Sequence, residues 1–388
     1  MPSSDSLWKL LFVLPNVELP DPVSDHEPDT EEQGRWLNGI TLGSRYLAIV
    51  SSKDARVLSM ANNVAAADKL TSSFRTSTGA PYRPAAIIAS PDTPSRLWQD
   101  LATIVDFRNA AAFSFLLRAR AAGAAGTAYA EPTWSDTFDL HPTVVSASNR
   151  LVTDSDALRA LYTEDATYLA TQSPHLSLCG DRLYPDHFLF RVLGSEWRRY
   201  YETGGQRSSR NRALFRSLQT AYQACSIATK NQGSLYEYGL QMALWVSAFE
   251  ILVWPRSDHA GLEEVVELIG EYNWSDPQLA AASYTHTRRG QSLELNAAQQ
   301  AYTLVYRARN RFLHGEPVDP QDLLPEAHRE TVSHLPRLAG VLYRVALSQH
   351  LGPHYELSEN EEPLDQLAHE LFSDWEYERA LLRAFGIE

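Results

Sequence analysis

The stretch that decides the fold of the second half of the chain is residues 293–315, LELNAAQQAYTLVYRARNRFLHG. Its apolar residues recur at intervals of four, three and seven, which is the spacing of one face of an α-helix. They are Ala298, Tyr302, Val305 and Phe312. Gly315 is a typical helix stop, and Pro317 follows just beyond it. The pattern therefore predicts a helix over residues 293–314.

An arginine interrupts the apolar face of this helix. Arg309 fills the gap in the stripe, and a guanidinium cannot lose its proton, so burial there requires a carboxylate, a phosphate or several acceptors. The predicted helix 235–254 is apolar almost all round, and Glu250 is the only charged residue between positions 240 and 254. Two lone charges of opposite sign predict that Glu250 contacts Arg307 or Arg309.

A histidine ends the same helix. His314 follows Arg309 by five residues, about 140° around an ideal helix, whereas Asn310 roughly shares its face. Arg309 and His314 therefore diverge unless the last turn unwinds or a second subunit completes the site. His314 also lies at the negative end of the helix dipole, a position that suits a general acid. An arginine that neutralises a phosphorane and a histidine that moves protons suit RNA cleavage.

The string Arg309-Asn310-x-x-x-His314 resembles the R-[polar]-x-x-x-H motif of the HEPN superfamily, and with Gly315 it is similar to the RN-x-x-x-HG string of the ApeA-like branch. An apolar helix that carries a glutamate precedes the motif by about sixty residues, as it often does in that branch. The resemblance covers roughly residues 185–350. It implies a helical bundle that dimerises with its motifs facing, and a metal-independent endoribonuclease that leaves 2′,3′-cyclic phosphate ends.

The resemblance also implies a role for each residue, with no metal and no cofactor. Arg309 and His314 would be the catalytic pair, Asn310 the polar orienting residue and Glu250 a supporting carboxylate. One departure concerns regulation: Glu316 stands where toxins silenced by adenylylation have a tyrosine. The function predicted on this basis is RNA cleavage by a homodimer in a defence or stress system.

Structural roles remain open for the same residues. Arg309 and Glu250 together form a plausible structural ion pair, and His314 a plausible helix cap that binds the last carbonyls. Asn310 is equally consistent with a solvated residue at the helix end. The alternative function is therefore a non-catalytic HEPN-like dimerisation module that binds RNA or a protein partner.

A basic segment lies before these helices. Residues 191–216 carry seven arginines and two glutamates, an excess of five positive charges in a chain of net charge −14. Such a segment is able to follow a phosphate backbone, with Trp197, Tyr200 and Tyr201 as stacking surfaces, although a solvated face is the alternative. The arginines predicted to contact RNA are Arg198, Arg199, Arg207, Arg210 and Arg212.

Residues 1–150 mix strand and helix signals, which predict an α+β domain of unknown role. Residues 7–14 and 46–50 have the character of strands, and residues 85–90 are a short apolar run between prolines. Residues 95–122 have helical period, and residues 127–142 have no period and predict a linker or boundary loop. Residues 151–388 are predicted to form an all-α, HEPN-like bundle, so the chain is mainly helical overall. Its further helices are predicted near 154–171, 186–202, 212–229, 261–272, 336–352 and 363–385, with a polar loop over 273–291.

Composition limits the possible functions. A pI near 5.3 argues against a general nucleic-acid coat or a binder of anionic membranes, because both need a positive surface. The two cysteines, Cys179 and Cys225, are far apart, which predicts neither a disulfide framework nor a cysteine zinc site. No run approaches the roughly 18 apolar residues needed to cross a bilayer. We expect a cytoplasmic protein without a signal peptide.

Overall fold

The computed structural model describes residues 8–19, 39–76, 78–126, 135–153, 169–170, 176–177, 185–203, 208–227, 235–254, 260–288, 290–325, 334–352 and 363–387. These residues are mainly helical, as the sequence predicts, and they include small sheets. They divide into two compact units. The first unit takes the described residues within Met1–Ala111 and Ser135–Leu183, and the second takes those within Ala112–Trp134 and Tyr184–Glu388.

The first unit is built on an antiparallel sheet of strands β1 (Lys9–Leu14), β5 (Ala85–Ala89) and β3 (Leu47–Ser51), in that order. The central strand β5 is Ala-Ala-Ile-Ile-Ala, and all of its residues are buried, since it is covered on both faces. Helices α1 (Ala55–Asn63) and α2 (Ala65–Ser72) contribute to the same hydrophobic core. The strands predicted over residues 7–14 and 46–50 are confirmed as β1 and β3, and the apolar run 85–90 contains the central strand β5.

Shorter strands complete the first unit. They are β2 (Val17–Glu18), β4 (Phe74–Arg75), β6 (Thr143–Val145), β7 (Leu151–Thr153), β8 (Leu169–Ala170) and β9 (Leu176–Ser177). The predicted helix over 154–171 is wrong at its end, because β8 pairs in parallel with β4, and residues 154–168 lie outside the described residues. A pairing between segments almost a hundred positions apart leaves no local period in the sequence.

The predicted helix 95–122 is two helices, α3 (Ser95–Trp98) and α4 (Leu101–Ala125). Gly123 does not end α4, because alanines on both sides of it continue the helix. The first part of α4 belongs to the first unit, and the part from Ala112 onward belongs to the second. The division therefore differs from the predicted boundary near residue 150, since the chain changes units inside a helix and then returns.

The second unit is a set of helices around α7. Besides the part of α4 from Ala112 onward, its described helices are α5 (His187–Trp197), α6 (Ser209–Ser226), α7 (Leu235–Val253), α8 (Leu262–Gly270), α9 (Pro277–Ala281), α10 (Ala297–His314), α11 (Leu335–Leu351) and α12 (Pro363–Phe385). Helix α7 packs against α6, α8, α10 and α11. The ring of Phe249 on α7 lies 4.8 Å from Tyr302 and 5.4 Å from Tyr343, measured between centroids, so aromatic side chains join α7 to α10 and α11.

The prediction that residues 151–388 are all-α is wrong at strands β7, β8 and β9 of the first unit, and also at one place in the described part of the second unit. Strands β10 (Tyr284–Arg288) and β11 (Gln291–Leu295) form an antiparallel hairpin that begins in the predicted polar loop and extends into the start of the predicted helix 293–314. Ser283 and Thr285 both donate hydrogen bonds to the carboxylate of Glu294 across the hairpin. Because its side chains are mostly exposed and polar, the hairpin lacks the apolar alternation that marks a strand.

Candidate active site

Helix α10 is well defined at both ends. Asn296 caps its start and forms a capping box with Gln299, so the helix begins at Ala297 and not at residue 293 as predicted. At the other end Gly315 has φ of 71°, and its N–H and that of Glu316 bond to the carbonyls of Phe312 and Arg311. The helix therefore runs unbroken to His314, as predicted, and its last turn does not unwind.

Arg309 and Glu250 form the predicted ion pair. Nη2 of Arg309 lies 3.1 Å from Oε1 of Glu250, and Nη1 donates a 2.8 Å hydrogen bond to Oδ1 of Asn310. The guanidinium carbon also lies 4.9 Å from the ring centre of Tyr306. The side chains of Arg309 and Glu250 are 17% and 24% exposed, so solvent reaches both, although most of their surface is covered. Three predicted site residues are thus brought together.

The surroundings of the pair are unfavourable to an uncompensated charge. Burial raises the pKa of Glu250, and the nearby Arg309 opposes that rise. Burial and the charge of Glu250 also raise the pKa of Tyr302 well above its ordinary value. Among the described residues the hydroxyl of Tyr302 and Nε of Arg309 are buried without a hydrogen-bond partner. Arg309 therefore keeps one donor that the described protein groups do not use.

His314 does not join this cluster. It is exposed at the end of α10, and its side chain makes no hydrogen bond or ion pair with any residue that the structure describes. Five residues of unbroken helix place it about 140° around the axis from Arg309. The loop that follows His314 is attached to α10 by an ion pair between Arg311 and Asp322 at 2.6 Å. One copy of the chain therefore presents the arginine and the histidine in different directions.

A cavity of about 630 Å³ lies beside Glu250, between α6 and α7. The side chains that matter for its chemistry are Ser209, Arg212, Arg216, Ser247, Glu250 and Trp254. Arg212 and Arg216 are four residues apart on α6 and exposed, and neither has an ion-pair partner among the described residues. Of the predicted RNA-binding arginines that the structure describes, Arg212 alone lines this cavity. Trp254 was not predicted as a site residue, because only the tertiary structure brings the end of α7 beside the arginines of α6.

The other basic residues have separate surroundings. Arg198 and Arg199 lie on a π-helical turn, Arg198–Glu202, where Arg199 pairs with Glu196. Arg210 donates a hydrogen bond to the backbone carbonyl of His350. Arg207 lies outside the described residues.

The predicted stacking surface on this segment is wrong for two of its three rings. Trp197 and Tyr201 are buried, with ring centroids 5.6 Å apart, and Tyr201 packs against Phe215 on α6 at the same centroid distance. Tyr200, which is partly buried, also packs against Phe215, at 5.3 Å. The rings fill the contact between the π-helical turn and α6, so their faces are used by the protein itself.

A second ionic cluster was not predicted from the sequence. Arg344 on α11 is buried and pairs with Asp186 at 3.0 Å and with Asp374 at 2.7 Å. The three residues come from distant parts of the chain, and Asp186 also caps α5 by accepting from the N–H of Leu189. This cluster joins three helices of the second unit, and its burial is typical of a structural role.

No family model, no curated protein and no solved structure matches this chain. Within the described ranges, no three histidine, cysteine or acidic side chains are grouped closely enough to hold a metal ion. No helix in that part of the chain has the length and apolar character needed to cross a membrane.

Proposed function

We propose that the chain is a metal-independent endoribonuclease of HEPN type that acts as a homodimer in a defence or stress system. The observation that carries the proposal is the geometry of α10. An arginine on its apolar face is held by Glu250 and Asn310, and the helix continues unbroken to an exposed histidine and stops at a glycine. The resemblance of this string to the HEPN motif supports the same conclusion.

The proposed reaction is an internal transesterification of RNA. The 2′-oxygen attacks the adjacent phosphorus while the 5′-oxygen leaves, which produces a 2′,3′-cyclic phosphate and a 5′-hydroxyl. A neutral imidazole accepts the proton of the 2′-hydroxyl, and an imidazolium donates a proton to the departing 5′-oxygen. Arg309 neutralises the negative charge that builds on the phosphorane oxygens. Glu250 and Asn310 position the guanidinium without contacting the reacting atoms.

A composite site made by two copies agrees with the directions of the side chains. Arg309 and His314 point apart on one helix, whereas a two-fold axis through α10 supplies each with its complement. Exposed apolar side chains lie next to the motif: Leu313 is 60% exposed on α10, and Tyr236 and Leu240 are 84% and 57% exposed on α7. These parts of α7 and α10 are neighbours, since Gly239 lies directly against Phe312. Such a patch favours association with another protein surface.

Cleavage of total RNA by the purified protein in EDTA tests this proposal. We expect products with cyclic phosphate ends, and His314→Ala should reduce the rate by about 10²- to 10⁴-fold, the usual contribution of one acid–base group. Arg307→Ala is the matched control, because Arg307 is exposed on the same helix and contacts His286 instead of Glu250. Cleavage by His314→Ala at the wild-type rate would contradict the proposal, and so would light scattering that shows a monomer at micromolar concentration.

One observation favours the non-catalytic alternative, a HEPN-like module that binds RNA or a protein. The guanidinium of Arg309 is already engaged by a carboxylate, an amide and an aromatic ring, as a structural arginine would be. Wild-type protein that cuts no RNA, alone or with cellular extract, while still binding RNA or a partner protein, would favour this alternative.

A further inference from the structure

We propose that the cavity between α6 and α7 binds one nucleotide of an RNA strand, with its phosphate on Arg212 and Arg216 and its base against Trp254. This inference rests on the proposed function, because it assigns the cavity as a substrate subsite beside the catalytic arginine. It concerns a nucleotide next to the cleaved bond and not the reacting phosphate.

The charge of the cavity favours an anion. Arg212 and Arg216 are on the same face of α6, one turn apart, and their charges are not neutralised by any described acidic side chain. Glu250, the single carboxylate among the described residues of the lining, is already paired with Arg309. The lining therefore has two unneutralised positive charges in a chain of net charge −14, and guanidinium groups match the geometry of phosphate oxygens.

The rest of the lining suits a base and a sugar. Trp254 follows α7 directly, and its side chain is 60% exposed, which leaves indole surface free for stacking. Ser209 and Ser247 place hydroxyl groups in the same cavity, where they can donate to or accept from a nucleotide. The volume of about 630 Å³ lies inside the range of roughly 300–1,000 Å³ that is common for small-ligand sites.

Glu250 connects the cavity to the proposed catalytic centre. Its carboxylate lines the cavity and accepts the hydrogen bond of Arg309 at 3.1 Å, so the two sites share one side chain. A nucleotide held by α6 would place the neighbouring phosphate near Arg309. The cavity thereby orients the strand and raises the fraction of encounters that lead to cleavage.

Fluorescence anisotropy with a labelled 2′-O-methyl oligoribonucleotide tests the inference, because this probe lacks the 2′-hydroxyl nucleophile and is not cleaved. Arg212→Gln and Arg216→Gln should each weaken binding and make its dependence on salt shallower. Loss of one phosphate contact lowers the slope of log K against log salt by about 0.7. Trp254→Ala should weaken binding by about five- to a hundred-fold without changing that slope, since stacking is not ionic.

Arg150→Gln is the matched control, because it removes one exposed positive charge from the first unit. The inference would be overturned if the cavity variants had the same affinity and the same salt slope as Arg150→Gln. It would also be overturned if free AMP competed with the oligonucleotide at the concentrations at which the oligonucleotide binds, because that result would indicate a site for free nucleotides. The binding and cleavage experiments can fail separately. If the wild-type protein does not cleave RNA but the cavity variants lose RNA binding as expected, the proposed function fails and the subsite is retained. If the wild-type protein cleaves RNA but the cavity variants bind RNA normally, only the subsite is refuted.

Discussion

A double-mutant cycle separates the structural and chemical parts of the Arg309–Glu250 pair. The variants are Glu250→Gln, Arg309→Met and their combination. The 3.1 Å contact is one charge-assisted hydrogen bond in a mostly covered position. Its contribution to the free energy of unfolding should lie between that of an exposed ion pair, which is about 0.2–1 kcal/mol, and the loss on breaking a fully buried pair, which is about 3–5 kcal/mol. Loss of a hydrogen bond to a charged group costs about 1.5–3 kcal/mol, and we expect each single variant to lose that much.

The two substitutions should not be equivalent. Because burial raises the pKa of Glu250, the ionised carboxylate is poorly accommodated, and a glutamine that keeps an acceptor for Arg309 relieves part of that penalty. Glu250→Gln should therefore lie near the lower end of the range. The coupling energy between the two sites should be about 1–2 kcal/mol. For a unit of this size the single variants should melt roughly 3–12 °C lower.

Urea unfolding followed by circular dichroism gives the stabilities, and RNA cleavage is measured at a temperature at which every variant is folded. If Arg309 acts on the phosphorane, Arg309→Met should lose far more cleavage than Glu250→Gln at equal folded fraction. A coupling energy below about 0.3 kcal/mol, within the error of additivity, would refute the ion pair in solution. Equal losses of cleavage in both single variants would refute a chemical role for the arginine beyond its pairing.

Three further outcomes follow from the packing and the titratable groups. Arg344→Met should lower the free energy of unfolding by about 3–5 kcal/mol in urea titrations, because it leaves two carboxylates without their counter-charge, whereas Arg337→Met, exposed on the same helix, should change it little. Gly239→Ala places a methyl group 2.6 Å from the ring of Phe312, so it should lower both the melting temperature and the fraction of dimer in sedimentation; an unchanged dimer fraction would contradict the proposed interface. Burial lowers the pKa of His141 below its usual 6.5 in the folded protein. The stability that depends on the neutral imidazole is therefore present above pH 6.5 and is lost as the pH falls through the folded-state pKa. In His141→Asn, the melting temperature should depend less on pH over this range.

The parts of the fold that sequence predicted are those in which local spacing and burial agree. Helices α7 and α10 have strong periodic or continuous apolar character, and the Arg309–Glu250 contact followed from single charges on two such helices. His314 and Gly315 were placed at a helix end by the ordinary stop signal, and the structure has the same end.

The parts that sequence did not predict depend on contacts between distant segments. The hairpin β10–β11 is stabilised by polar side chains such as Glu294, and β8 by pairing with β4, so neither leaves an apolar pattern. Arg344 and its two carboxylates are scattered over nearly two hundred positions. The cavity requires α6 and the end of α7 side by side, and no spacing rule contains that information.

Helix α4 has a consequence for dissecting the protein into parts. A gene fragment that begins at residue 151 would encode most of the second unit but would omit the ring of Phe113, which lies 5.9 Å from Tyr343, and the guanidinium of Arg118, which binds Glu376 at 2.8 Å. We expect such a fragment to expose a strip of core and to aggregate on expression. The second unit is thus not a contiguous segment of the chain. Expression of this unit in functional form requires α4, either covalently attached or added as a separate peptide.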